Sequence, residues 1–248
     1  MARSSQTRIS TKMRTPRLYV GECRQGAGVL TLSERNHHYL SRVLRVREGQ
    51  SLVVFNGVGF EAQATVASMS KKQTLVTLSS GTVTEDIRLP ITLGLCLIKS
   101  NHFDWALQKA TELGVKAIQP ILGTYSDSPP KDEKLRKKKD HWQEILVNAC
   151  EQSGNNWIPK LKPLLPLSEL ELDREQLVFA HPQTETIPID PSRHSFYLVG
   201  PEGGFHMDEI ALLKKNQVKP MSLGPRILRA ETAVIVGLTL LGQQYGYV

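Results

Sequence analysis

The spacing of apolar positions along the chain changes once, near residue 88. From Arg17 to about Arg88, short runs rich in Val, Leu, Phe and Thr recur (RLYVG, SLVVF, VGFEAQATVA, TLVTLSS), and runs of this kind bounded by turn residues predict strands. Asn56-Gly57, between two of them, signals a hairpin. Several strands in so short a segment predict a small β-barrel over residues 16–88. One helix interrupts them, opened by Ser33 or Asn36 and carrying HHYLSRVLRV. Its Leu40, Val43, Leu44 and Arg47 fall at core spacing, while His38, Arg42 and Arg45 fall at i, i+4 and i+7 on another face. That basic stripe reads either as a grip on a phosphate backbone or as a solvated helix face.

From Leu89 the pattern alternates. ITLGLCLI predicts a buried strand and HFDWALQKATEL a helix stopped by Gly114. VKAIQPIL is strand-like, a long helix follows around Leu135–Cys150, and LVFAH and SFYLVG are strands. A helix at MDEIALLKKN, a short strand at MSLG and a helix beyond Arg229 complete the chain. Strands alternating with helices predict an α/β domain over residues 89–248, with a parallel, helix-covered sheet. Ligands of such sheets sit beyond the carboxyl ends of strands, where Gly200–Gly204 and Gly224–Arg226 fall.

Composition narrows the partners. An excess of 31 Lys and Arg over 24 Asp and Glu leaves a net charge of +7, which favours a polyanionic partner. Arg3, Arg8 and Lys12 of that count lie in a Ser/Thr/Arg-rich stretch within residues 1–15, read as a tail. The run KDEKLRKKK (Lys131–Lys139) reads as a solvated helix start or as an RNA contact. Three widely spaced cysteines, Cys23, Cys96 and Cys150, form neither a disulfide framework nor a zinc knuckle, and no HExxH pair occurs, so no metal is expected. The polar N-terminus does not read as a signal peptide, and the longest apolar stretch, Ala233–Leu241, is about half the roughly 20 residues that span a bilayer. A reduced, cytoplasmic location is the expectation.

The candidate chemistry lies in two loops. In YLVGPEGGF an apolar strand ends at glycines, a setting in which backbone N–H groups often hold phosphate at a helix N-terminus. Here the only charged residue is Glu202, whose carboxylate would repel a phosphate. A neutral or cationic ligand with hydroxyls and ring nitrogens suits the loop better, and S-adenosylmethionine meets that description. The alternative is an ordinary strand-to-helix connection. LGPRILRAETAVIVGL also leaves a strand at a Gly-Pro turn, and it places Arg226, Arg229 and Glu231 just ahead of an apolar helix. Either Arg229 and Glu231 pair or cap that helix, or the two loops share a pocket.

LVGPEGGF followed by LGPRILRAETA resembles the RsmE family, the small-subunit ribosomal RNA uridine-N3 methyltransferases of the SPOUT class. The resemblance runs from Arg14 to the C-terminus and includes HHYLSRVLR, LQKATELGV (Leu107–Val115) and ACEQSG (Ala149–Gly154). It implies a PUA-like RNA-binding barrel and a SPOUT-type α/β domain with a trefoil knot. It further implies a homodimer with the cofactor site beside the subunit interface, and methylation of N3 of one uridine in 16S rRNA of the small ribosomal subunit. Backbone and side chains of His181, Leu198, Val199, Gly200, Pro201, Glu202, Gly203 and Gly204, with Leu223, Gly224, Arg226, Ile227, Leu228 and Thr232, then hold S-adenosylmethionine. Arg229 faces the uracil oxygens, and Glu202 or Glu231 takes the N3 proton or orients Arg229. Arg42 and Arg45, with His38, Lys71, Lys72 and Arg17, are the candidate RNA contacts. The chain departs from the family pattern where Tyr125 and Asn155 replace arginines, and at Ser100 and His102. The competing readings are a methyltransferase acting on another RNA or base atom, and a non-enzymatic RNA-binding protein. A nicotinamide oxidoreductase would need a GxGxxG turn after an early strand, which neither loop supplies.

Overall fold

A computed structural model describes residues 15–26, 28–129, 131–172, 176–182, 190 and 192–247; Arg3, Arg8 and Lys12 of the expected tail lie outside them. Two units divide the chain. One contains the described residues up to Asn56 with Phe60–Thr84, and the other contains Gly57–Gly59 with the described residues from Glu85 onward.

In the first unit, strands β1 (Arg17–Tyr19), β2 (Val29–Thr31), β3 (Ser51–Phe55), β4 (Phe60–Met69) and β5 (Thr74–Val83) form one sheet in the order β1-β3-β4-β5-β2. The strands alternate as a half-buried sheet requires: Leu52 and Val54, Ala62, Ala64 and Val66, and Val76 and Leu78 share one core with Leu18, Leu32, Leu40 and Val46. A small barrel is the expectation; among the described residues the pairing gives one sheet whose end strands, β1 on β3 and β2 on β5, do not pair with each other. Strand β2 is invisible to periodicity, since only its central Leu30 is partly covered. The Asn56-Gly57 hairpin joins β3 to β4 antiparallel, through a longer loop in which Gly57 and Gly59 both take positive φ.

The helix of this unit is shorter than the sequence predicts. Ser33 caps α1 (Glu34–His38) by accepting from the Asn36 amide. The chain then widens into a π-type turn over Tyr39–Val43, and Arg45 leaves it in the left-handed region at φ 52°. The wider turn breaks the 3.6-residue spacing, so Leu40 stays buried while Val43, Leu44 and Arg47 are exposed and Val46 enters the core. For the same reason His38, Arg42 and Arg45 do not form a helical stripe, although all three are exposed.

The second unit runs β6 (Leu89–Cys96), α2 (Ser100–Glu112), β7 (Val115–Leu122), α3 (Asp132–Ser153), β8 (Lys160–Leu161), β9 (Leu165–Pro166), β10 (Gln176–Ala180), β11 (Ser195–Val199), α4 (Met207–Lys215), β12 (Lys219–Met221) and α5 (Ala230–Gln244). All its strand pairs are parallel, in the order β12-β10-β11-β6-β7-β8, with β9 also on β7. Both faces are covered, which explains the unbroken apolar run of β6. Ile91, Leu93 and Leu95 pack with Tyr197 against α2, α3 and α5, and Cys96, Phe196 and Leu198 face the opposite side with Leu213 of α4. Helix α3 ends at Gly154 in the left-handed conformation. The last strand is KPM and not MSLG, so Ser222–Gly224 belong to the loop. The two-residue β8 and β9 are too short to show a period. The apolar stretch of α5 buries Ala233, Val234, Leu238 and Leu241 in the same core. No helix among the described residues is long and apolar enough to cross a membrane.

All three cysteines are buried thiols. Burial, aided by the Glu22 charge, pushes Cys23 up to about 11, and burial raises Cys96 further still. Thiolate is the reactive form. The folded protein is therefore expected to take up no iodoacetamide at pH 8 over minutes, and three equivalents once unfolded in guanidinium, as read by intact mass.

Candidate functional site

From β10 the chain crosses to β11 on one side and, after α4, to β12 on the other. The loops leaving these three adjacent strands therefore open onto one crevice at their carboxyl ends. That crevice is a cleft of about 530 Å3. It is lined by Ala180 at the end of β10 with His181 and Pro182, by Val199 at the end of β11 with Gly200–Phe205, by Ile210 of α4, and by Leu223, Gly224, Arg226, Ile227, Leu228, Arg229, Ala230 and Ala233 at the entry to α5. Gly204 and Gly224 adopt φ of 74° and 106°, a region open to glycine at little cost. The Gly204 amide donates to the Pro201 carbonyl at 2.8 Å and closes the first turn. A capping box then starts α4, with the His206 amide donating to Glu209. The other oxygen of Glu209 accepts from the Thr124 amide at 2.7 Å and fastens α4 to the loop after β7.

The charges have distinct settings. Glu202 lines the cleft, and its Oε1 accepts from the Lys99 amide at 3.3 Å. His102, in the first turn of α2, holds its Nδ1 3.9 Å from Glu202 Oε1 and 3.9 Å from Glu231 Oε1. Glu231 is 8% exposed, in the first turn of α5 where the helix dipole favours a carboxylate. His102 Nδ1 and Glu231 Oε2 are buried without a hydrogen-bond partner. Arg229 occupies the N-cap position of α5 without a side-chain cap bond, is exposed to the cleft, and forms no salt bridge among the described residues. Pairing of Arg229 with Glu231 is thus not what these residues do: Glu231 faces His102 instead.

Of the residues expected to hold a cofactor, His181, Val199–Gly204, Leu223, Gly224 and Arg226–Leu228 are brought together in this cleft. Leu198 is fully buried in the sheet core, and Thr232 lies beyond the lining. Sequence reasoning missed the apolar contributors Phe205, Ile210 and Ala233, whose spacing reads as ordinary core, and it missed His102 as the neighbour of both glutamates. Arg17 is committed elsewhere: it pairs with Glu61 at 2.7 Å and lies 4.4 Å over the Phe55 ring, so it builds the first unit and is not free for RNA. Lys71 and Lys72 are exposed in the β4–β5 turn. Tyr125 is exposed, with its ring edge-on to His206, and Asn155 Oδ1 accepts from the Trp157 amide in a local turn. Among the described residues no group of side chains suits a metal ion.

The size and lining of the cleft suit a zwitterionic nucleoside. Its volume is that of a small-molecule site, much of its lining is apolar, backbone polar groups come from the glycine loops, and Glu202 and Arg226 supply both signs of charge.

Comparison with known proteins agrees. A family model described as RNA methyltransferase domain matches residues 85–242, and one described as RNA methyltransferase PUA domain matches residues 32–79. The ribosomal RNA small subunit methyltransferase E of Buchnera aphidicola subsp. Schizaphis graminum is 33% identical over 242 residues, covering 95% of this chain and 98% of its own. A Legionella pneumophila protein solved in complex with the bound cofactor SAM superposes with a TM-score of 0.84 at 34% identity, over 93% of this chain and 98% of that one. The ribosomal RNA small subunit methyltransferase E of Neisseria gonorrhoeae, solved bound to S-adenosyl methionine, gives 0.83 at 28% identity over 94% and 98%. With matches of this extent across both units, the chain belongs to the ribosomal RNA small subunit methyltransferase E family, an RNA methyltransferase domain preceded by a PUA domain.

Proposed function

We propose that this protein is a S-adenosylmethionine-dependent methyltransferase that modifies N3 of one uridine in 16S rRNA of the small ribosomal subunit. The observation that carries the reading is the meeting of two Gly-Pro loops at the ends of three adjacent parallel strands, with Glu202 and Arg229, which makes no salt bridge among the described residues, in one cleft. The family's names and cofactor-bound relatives support it. A trefoil knot, a homodimer and action in the cytoplasm, where small subunits are found, belong to the same reading and rest on the family resemblance.

When bound, S-adenosylmethionine supplies a methyl group made electrophilic by its sulfonium. The loops Val199–Gly204 and Leu223–Leu228 would hold it through backbone groups, with Phe205, Ile210 and Ala233 adding apolar lining. Uracil N3 becomes a good nucleophile only after losing its proton, and the resulting negative charge spreads onto the two flanking carbonyl oxygens. Arg229 faces that charge, as a preorganised cation at the place where charge develops. Glu202 takes the N3 proton, since it lines the cleft and Glu231 does not. Glu202 is held by the Lys99 amide, and His102 Nδ1 stands 3.9 Å from both carboxylates, which places Glu231 next to Glu202 but outside the cleft lining. The new bond is N3–methyl, the bond broken is methyl–sulfur, and its electron pair stays on sulfur. An extruded base is required, because N3 is hidden in a paired helix.

Titration calorimetry with S-adenosylmethionine tests the cofactor assignment. One saturable site per chain is expected; no heat, with folded protein, would overturn the assignment and leave an RNA-binding module.

A further inference from the structure

The opposite end of the same sheet carries charge that methyl transfer does not use. Lys116 of β7, Lys160 of β8, Lys162 just beyond it and Arg88 ahead of β6 surround a second cleft of about 440 Å3, which Trp157 and His194 also line. Strand register explains the gathering: Ala117 pairs with Lys160, so Lys116 and Lys160 stand at neighbouring levels on adjacent strands. Among the described residues no Asp or Glu lines the cleft. Asp86, next to it, binds Arg88 at 2.8 and 2.9 Å and lies 3.9 Å from Lys116, offsetting one of the four charges and leaving three. Lys160 and Lys162 have no salt-bridge partner among the described residues. His194 bonds Thr92 at 2.9 Å and serves as wall. Uncompensated like charges repel one another, and an anion relieves that repulsion.

The aromatic decides the kind of anion. Trp157 lines the cleft partly exposed, and the Arg88 guanidinium covers one face of its ring at 5.2 Å, so a base would stack on the opposite face. Cations that follow a backbone beside an aromatic face are the combination with which proteins hold single-stranded nucleic acid. A lone phosphate would call for donors converging on one point, whereas these lysines are spread over two strands and the turn after them.

We propose that this cleft is a second RNA site, taking backbone phosphates on Lys116, Lys160 and Lys162 and stacking one base on Trp157. The proposal rests on the methyltransferase reading and adds a second foothold for the same substrate. The two clefts lie at opposite ends of β11, and because both faces of the sheet are covered, an RNA that engages both passes around the surface of the unit, a path longer than the roughly 17 Å that five strand residues span.

The test compares wild type with Lys160→Gln/Lys162→Gln, measuring binding of a 16S rRNA fragment across a salt series and, separately, S-adenosylmethionine binding by calorimetry. The double variant is expected to bind RNA about tenfold more weakly at 0.1 M salt, with a log–log salt slope shallower by about 1.4 to 1.8 for two phosphate contacts. Cofactor affinity should be unchanged, which shows that the fold is intact. Equal RNA affinity and slope in the two proteins would overturn the second site while leaving the methyltransferase reading standing. Cofactor binding without any rRNA binding by wild type would overturn both the second site and the rRNA assignment.

Discussion

Arg229→Ala is expected to lower the methylation rate constant by about 100-fold to 1000-fold, the loss typical of removing one preorganised donor from a developing anion. The fold should tolerate the change. Arg229 is exposed, makes no salt bridge among the described residues and caps nothing through its side chain, so its removal strands no buried partner. Affinity for S-adenosylmethionine should stay nearly unchanged if, as proposed, the glycine loops carry the cofactor contacts. Lysine at this position should restore part of the rate, since it returns the charge without the planar guanidinium. Single-turnover kinetics separates the two steps. A cofactor affinity that falls in parallel with the rate would move Arg229 from the base to the cofactor.

The second large effect is on stability and has a sign that helix propensity gets wrong. Gly237 lies inside α5, where replacing glycine by alanine ordinarily gains about 1 kcal/mol. At this position an added Cβ would stand 2.1 Å from the hydroxyl and 2.2 Å from Cζ of Tyr197. Tyr197 is fully buried, and its hydroxyl donates to the Ala233 carbonyl at 2.8 Å. The ring has no solvent to retreat into, so relief requires moving α5 or giving up that bond. Overpacking costs about 1–3 kcal/mol and an unpaired buried hydroxyl about 1–3 more. Set against the helix gain of about 1 kcal/mol, these costs leave Gly237→Ala destabilised by roughly 1–5 kcal/mol, a fall in Tm of about 2–20 °C by thermal unfolding. Cofactor affinity should weaken as well, because Ala230 and Ala233 at the start of the same helix line the cleft. An unchanged or higher Tm would show that α5 does not pack on Tyr197 in this way.

What sequence alone can and cannot reveal follows from the range of each signal. The run ITLGLCLI is apolar on both faces of the pleat, and only a strand covered on both sides needs that, so β6 and the parallel sheet were legible. The Gly-Pro turns marked both loops that line the cleft because glycine conformations are local. His102 gave no such mark. Its neighbours Glu202 and Glu231 lie more than 99 positions away along the chain, and only the order of the strands brings them together. Gly237 is silent for the same reason, since its constraint comes from Tyr197 in β11. In the first unit, the register of HHYLSRVLRV was misread past Leu40 because a π-type turn adds a residue that an assumed 3.6 period does not contain. Arg17 shows the limit of counting charge: one of the basic residues assigned to RNA proves to be bound to Glu61.

The central claim is methyl transfer to uridine N3 in the small ribosomal subunit. Its most direct test is incorporation of labelled methyl from S-adenosylmethionine into small subunits purified from cells lacking this gene, followed by mass spectrometry of the nucleosides. The account predicts N3-methyluridine at a single position of 16S rRNA. Label on a different base atom, or none in 16S rRNA from a protein that binds the cofactor, would contradict it.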